Sequence, residues 1–72
     1  MIAMDLTIGE KIRLLRENRE LTQKELGTAL NMTQRRVSNI ECNKYEPSLD
    51  DIRAFCRFFH VSADYLLGLK KK

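Results

Sequence analysis

No apolar run in the 72 residues approaches the ~20 that cross a bilayer, so no transmembrane span is expected. The start, Met1 to Thr7, carries an early acid and lacks a basic, then apolar, then small-residue pattern. A secretory signal is therefore not expected, and the two cysteines read as thiols of a cytoplasmic protein, not as a disulfide framework. One histidine, no Gly-rich phosphate loop and no nucleophile–base pair argue against an enzyme and imply no cofactor. Period-two alternation is missing, so strands are not expected. A chain this short buries only roughly 60% of its unfolded surface, which admits one domain and no deep pocket between subdomains.

Charge of one sign is also scarce. Residues 1–32 balance Lys11, Arg13, Arg16, Arg19 and Lys24 against Asp5, Glu10, Glu17, Glu20 and Glu25. The formal net charge of +3 equals the terminal Lys70-Lys71-Lys72 alone. The high isoelectric point thus says little about a basic face on the folded part, and nucleic-acid binding must be argued from individual positions.

What is present is punctuation. Thr7-Ile-Gly-Glu10 and Thr22-Gln-Lys-Glu25 fit the capping box, Ser48-Leu-Asp-Asp51 is a close relative, and Thr33 and Ser62 are further N-caps. Apolar residues spaced near 3.6 follow each cap: Ile8, Ile12 and Leu15; Leu26 and Leu30; Val37 and Ile40; Ile52, Phe55, Cys56 and Phe59; then Leu66. Asn31, Asn43, Pro47, His60 and Gly68 mark the breaks. The pattern predicts an all-α fold of five short amphipathic helices, with a core over about 7–68 and a basic tail at 69–72. None is long enough to be stable alone, so pooled burial must hold them together.

The second and third helices, over 23–30 and 34–42, are separated only by Asn31, Met32 and Thr33. So short a connection sets the axes at a steep angle, a helix-turn-helix. Gly27 suits a close approach of the third helix, Asn31 a left-handed turn, and Met32 a plug beneath it. At ~100° per residue, Val37 and Ile40 face the core while Arg35, Ser38, Asn39 and Cys42 lie opposite, with Gln34 flanking them. A guanidinium can take guanine O6 and N7 together and a carboxamide adenine N6 and N7, which makes Gln34, Arg35 and Asn39 chemically suited to base reading. A solvated polar helix face is the rival account of the same residues. Asn43 and Lys44, past this helix, are placed either for phosphate contact or for plain turn duty. Arg36, at the edge of the wheel, suits a phosphate or an intramolecular partner.

Five segments together carry a resemblance: Ile12-Arg-Leu-Leu-Arg16, Leu21-Thr-Gln-Lys-Glu-Leu26, Val37-Ser-Asn-Ile-Glu41, Glu46-Pro-Ser-Leu49 and Val61-Ser-Ala-Asp-Tyr-Leu66. In order and spacing they resemble the Cro/C1-type (Xre-like) helix-turn-helix DNA-binding proteins, from about Thr7 to Gly68. The resemblance implies a compact, lambda-repressor-like domain and a transcriptional regulator of double-stranded DNA, a repressor by occlusion in the absence of a sensor domain. It implies base contacts from Gln34, Arg35 and Asn39, with Ser38 as a lesser one. Gln23, at a helix start where backbone N–H groups favour an anion, would touch phosphate. The positions of Arg16 and Glu41 imply an ion pair joining the first and third helices, with Arg16 also leaning toward phosphate. Glu20 and His60 stand where the family often has glycine (or, near Glu20, asparagine), and Leu14 where a charged residue is more typical.

Other readings are weaker. Cys42, Cys56 and His60 lack a close C-x-x-C pair, so no metal site is expected. Cys56 reads as a small hydrophobe, whereas Cys42 should face the DNA side. A redox role there requires a depressed pKa and an accessible thiol; DNA affinity unmoved by peroxide would dismiss it. Leu14, Phe58, Leu67 and Leu69 would together suit a homodimer face. A toxin-neutralising antitoxin, or another interaction module on the same fold, is the rival function; co-purification with a second protein would favour it.

Overall fold

The computed structural model describes residues 6–68. Leu69 and the Lys70–Lys72 tail lie outside them. Five helices follow in order: α1 (Ile8–Asn18), α2 (Gln23–Leu30), α3 (Gln34–Glu41), α4 (Leu49–Phe59) and α5 (Ala63–Leu67). No strand occurs among the described residues.

Each start is chemical. Thr7, Thr22 and Ser48 accept from the backbone N–H three residues on, while Glu10, Glu25 and Asp51 return the bond to the cap's own N–H, three complete capping boxes. Thr33 and Ser62 cap α3 and α5 through the hydroxyl alone.

The ends share a second device. Glu20, Asn31, Asn43 and His60 take left-handed backbone at φ 58–62°. Behind each, the next N–H reaches back five residues: Leu21 to the Arg16 carbonyl, Met32 to Gly27, Lys44 to Asn39 and Val61 to Cys56, at 2.7–3.2 Å. This Schellman-type closure satisfies carbonyls that the helix end leaves open. Glu20 meets the left-handed requirement despite its Cβ.

The core is one cluster. Ile12, Leu26, Val37, Ile40, Phe55 and Leu66 are essentially sealed, with Ile52 and Phe59 beside them. Every helix contributes at least one of these residues, and each buried aliphatic or Phe side chain is worth about 1.5–3 kcal/mol. Leu30 and Met32 pack against this core from the turn, as expected, and so does Cys56, whose thiol desolvation pushes up in pKa. Phe58 departs from the expected exposed face: it lies half-buried, edge-on to Phe59 with ring centroids 5.1 Å apart and beneath the Arg19 guanidinium at 5.3 Å. Leu14 and Leu67 do remain about half exposed.

Two glycines set the approach of helices to their neighbours. A Cβ on Gly27 would stand 2.6 Å from the Met32 carbonyl oxygen, so it is the turn itself, more than α3, that needs the space. A Cβ on Gly9 would collide with the Ile40 carbonyl and lie 2.6 Å from that of Glu41. The first turn of α1 therefore rests directly on the end of α3.

Candidate nucleic-acid interface

Helix α3 divides cleanly. Val37 and Ile40 are fully buried, while Gln34 and Arg35 are exposed and Ser38 and Asn39 half-buried on the other flank. Arg35 has no hydrogen-bond or ion-pair partner among the described residues. The outward flank thus carries a guanidinium, two carboxamides and a hydroxyl, all able to donate to acceptors on a partner. Cys42, at the end of α3, is exposed.

Behind this flank, one carboxylate gathers three helices. Glu41, 7% exposed, accepts Arg16 Nε at 2.6 Å and Nη2 at 3.0 Å, and Gln23 Nε2 at 3.0 Å. Arg16 Nη1 also donates to the Leu21 carbonyl at 2.7 Å. The ion pair implied by resemblance is present, and hydrogen bonding to Glu41 holds the Arg16 guanidinium above its ordinary range. Such a buried pair fixes orientation more than it adds stability. Arg16 is consequently a strut between α1, α3 and the α1–α2 bend. Gln23 spends one amide N–H on Glu41 and keeps a second one.

Two further residues expected at phosphate are held from within. Asn43 Oδ1 accepts the Gly9 N–H at 3.3 Å, and its Nδ2 donates to Thr7 Oγ1 at 2.9 Å, pinning the start of α1 to the end of α3. Arg36 donates through Nη2 to Asp51 Oδ2 at 2.6 Å and through Nη1 to the Tyr45 hydroxyl at 2.5 Å, with its guanidinium 4.7 Å from the Tyr45 ring centre. The bonds to Asp51 and then to Tyr45 raise the Arg36 pKa. Lys44 is exposed beside them, and its backbone closes the end of α3.

The positions predicted for base reading lie on the outward flank of α3, with Arg36 bordering the same recess as Arg35 and Asn39, while Gln23 is tied to Glu41 near the α1–α2 bend and Arg16 and Asn43 stand at the two ends of α1. Sequence reasoning missed Tyr45, which walls a surface recess of about 260 Å³ together with Thr33, Arg35, Arg36 and Asn39. A lone aromatic residue in the polar connection after α3 was the signal in the sequence, and in the fold it stands 42% exposed. It also missed Gly9, although a glycine two positions into a helix, where Ala is preferred by ~1 kcal/mol, already asks for a packing reason.

Among known proteins, a family model described as "Helix-turn-helix" matches residues 12–66. The chain is 32% identical over 63 residues to the HTH-type transcriptional regulator ImmR of Bacillus subtilis (strain 168), covering 88% of this chain and 50% of that protein. It is 29% identical over 63 residues to the immunity repressor protein of Bacillus phage phi105, covering 88% and 44% respectively. The chain thus spans about half the length of these relatives. Its fold is similar to the P22 c2 repressor protein crystallised in complex with synthetic operator 9T, with TM-score 0.82, 28% identity, and 88% of this chain and 96% of that one covered.

Proposed function

Because the chain belongs to the Cro/C1-type helix-turn-helix family, we propose that it binds double-stranded DNA sequence-specifically, as a cytoplasmic transcriptional repressor that acts by binding and not by turnover. Helix α3 enters the major groove, where Arg35, Gln34 and Asn39 meet base edges and Ser38 adds a shorter contact. Gln23 offers its second amide N–H, with the N–H groups at the start of α2, to a backbone phosphate; Lys44 adds a cation on the other side. Asn43 and Arg36 serve mainly to hold α3 in place.

One observation carries the reading: the flank of α3 opposite fully buried Val37 and Ile40 presents donors that are not taken up among the described residues. The relatives support it by name, one an immunity repressor and one a transcriptional regulator. The P22 c2 repressor adds a similar fold solved on an operator. Repression follows from occupancy, since a bound protein denies the same duplex to other proteins.

The experiment is selection of bound duplexes from a random pool at two salt concentrations. One sequence should be enriched at both, with affinity falling as salt rises on every duplex because phosphate contacts release counterions. Binding that is equal for all sequences would overturn a regulator that reads DNA.

A further inference from the structure

We propose that Tyr45 is a phosphorylation site whose phosphate, once attached, folds onto Arg36 and Arg35 and takes the chain off DNA. The inference rests on the reading that Arg35 and the outer flank of α3 dock on the duplex.

The two tyrosines are exposed to nearly the same degree, Tyr45 at 42% and Tyr65 at 41%. They differ in backbone. Tyr65 lies inside α5, with the Lys11 ammonium 5.1 Å from its ring centre. Tyr45 lies in the connection between α3 and α4, which is non-helical over 42–48. Phosphoryl transfer requires the acceptor oxygen in line with the leaving oxygen, so the chain around it must fit an enzyme's cleft. A loop can be drawn out to do so at little cost, whereas a helix must first unwind.

The transfer balances with one co-reactant. The Tyr45 phenolic oxygen attacks the γ-phosphorus of a nucleoside triphosphate held by a tyrosine kinase. An O–P bond to the phenol forms, the bond from that phosphorus to the β-phosphate oxygen breaks, and the phenolic proton passes to the kinase's base. The product carries about −1.5 to −2 charge at pH 7 and three strong acceptor oxygens.

The surroundings already hold what such a group binds. Tyr45 shares its recess with Thr33, Arg35, Arg36 and Asn39. Arg36 donates Nη1 to the Tyr45 hydroxyl at 2.5 Å, while its Nη2 is anchored on Asp51 Oδ2 at 2.6 Å. The guanidinium is thus fixed beside the atom that receives phosphorus, and its Nη1 bond passes from the phenolic oxygen to a phosphate oxygen. Arg35, with no partner among the described residues, takes a second oxygen. The neighbouring acids leave room for this. Asp51 has a side chain only 9% exposed and is compensated by Arg36 and the Ser48 N–H, and Glu46 lines a different recess with Lys11 and Leu66. Opposite two arginines, a phosphate gains charge-assisted hydrogen bonds. Capture then acts on DNA twice: Arg35 is withdrawn from base edges, and a near-dianion stands beside the flank that meets a polyanion.

The test compares the full chain made by chemical synthesis with tyrosine or phosphotyrosine at position 45. Affinity for the selected duplex should fall by roughly a hundredfold on phosphorylation. Followed by phosphorus NMR, the phosphate should lose its last proton at lower pH than in a phosphorylated 42–48 peptide, because the guanidinium groups favour the dianion. Unchanged affinity overturns the switch, and a phosphate that titrates as it does in the peptide overturns the capture. Given ATP and a tyrosine kinase domain that accepts the 42–48 peptide, the unmodified chain should gain phosphate at Tyr45 and not at Tyr65, as read by mass spectrometry. A folded chain left untouched by that kinase, or modified at Tyr65 alone, sinks the site while DNA binding stands. Unmodified chain that binds no duplex would instead overturn the reading beneath it.

Discussion

Glu20 and His60 hold left-handed backbone at φ 58° and 59°, a conformation that costs an ordinary L-residue about 1–2 kcal/mol and Asn less. Asn31 and Asn43 were legible in the sequence as turn residues for that reason. Glu20 was not legible from its own chemistry; it stood out only against the glycine or asparagine typical of related chains. Glu20→Gly should raise stability by about 0.5–1 kcal/mol, the relief of strain being partly offset by the entropy glycine brings to the unfolded chain. Urea unfolding at neutral pH reads this directly, and a loss of stability would mean that the glutamate side chain contributes more than its backbone costs. Asn43 shows the opposite limit of legibility. Its left-handed turn was readable locally, but its side chain's bonds to Gly9 and Thr7 join positions more than thirty residues apart, and no local pattern encodes such a pairing.

At the scale of elements, all five helix starts were legible because each is fixed by a hydroxyl and the amide three residues on, an interaction contained within four consecutive residues. How the helices seat on one another was less so. The rest of α1 on the end of α3 depends on Gly9, and Gly9→Ala should cost about 1–3 kcal/mol because backbone carbonyls, not flexible side chains, must give way. A thermal midpoint equal to wild type would show that α1 slides without penalty. The Arg16–Glu41 bridge, implied by resemblance, became informative only with its third member, Gln23. Glu41→Ala strands a guanidinium whose side chain is only 12% exposed, and should cost about 3–5 kcal/mol. The double variant Arg16→Met, Glu41→Leu should recover most of that loss in the same unfolding assay. If it recovers none, the pair is itself a source of stability and not chiefly a register device.

For the whole molecule, the principal extents of 33 × 24 × 23 Å allow one copy to cover about one helical turn of DNA, ~34 Å, and so a single half-site. Two half-sites would call for a homodimer; Leu14 and Leu67 remain about half exposed for such a face, whereas Phe58 is half-buried against Phe59 and Arg19. Everything proposed at this scale depends on the outer flank of α3 meeting base edges. The most direct measurement is the affinity of wild type and Arg35→Ala across a panel of duplexes in which each base pair of the selected site is changed in turn. Arg35→Ala should lose about 1–3 kcal/mol on the selected site and become indifferent to one base pair, keeping its preferences elsewhere. An equal loss on every duplex, with all preferences intact, would contradict it.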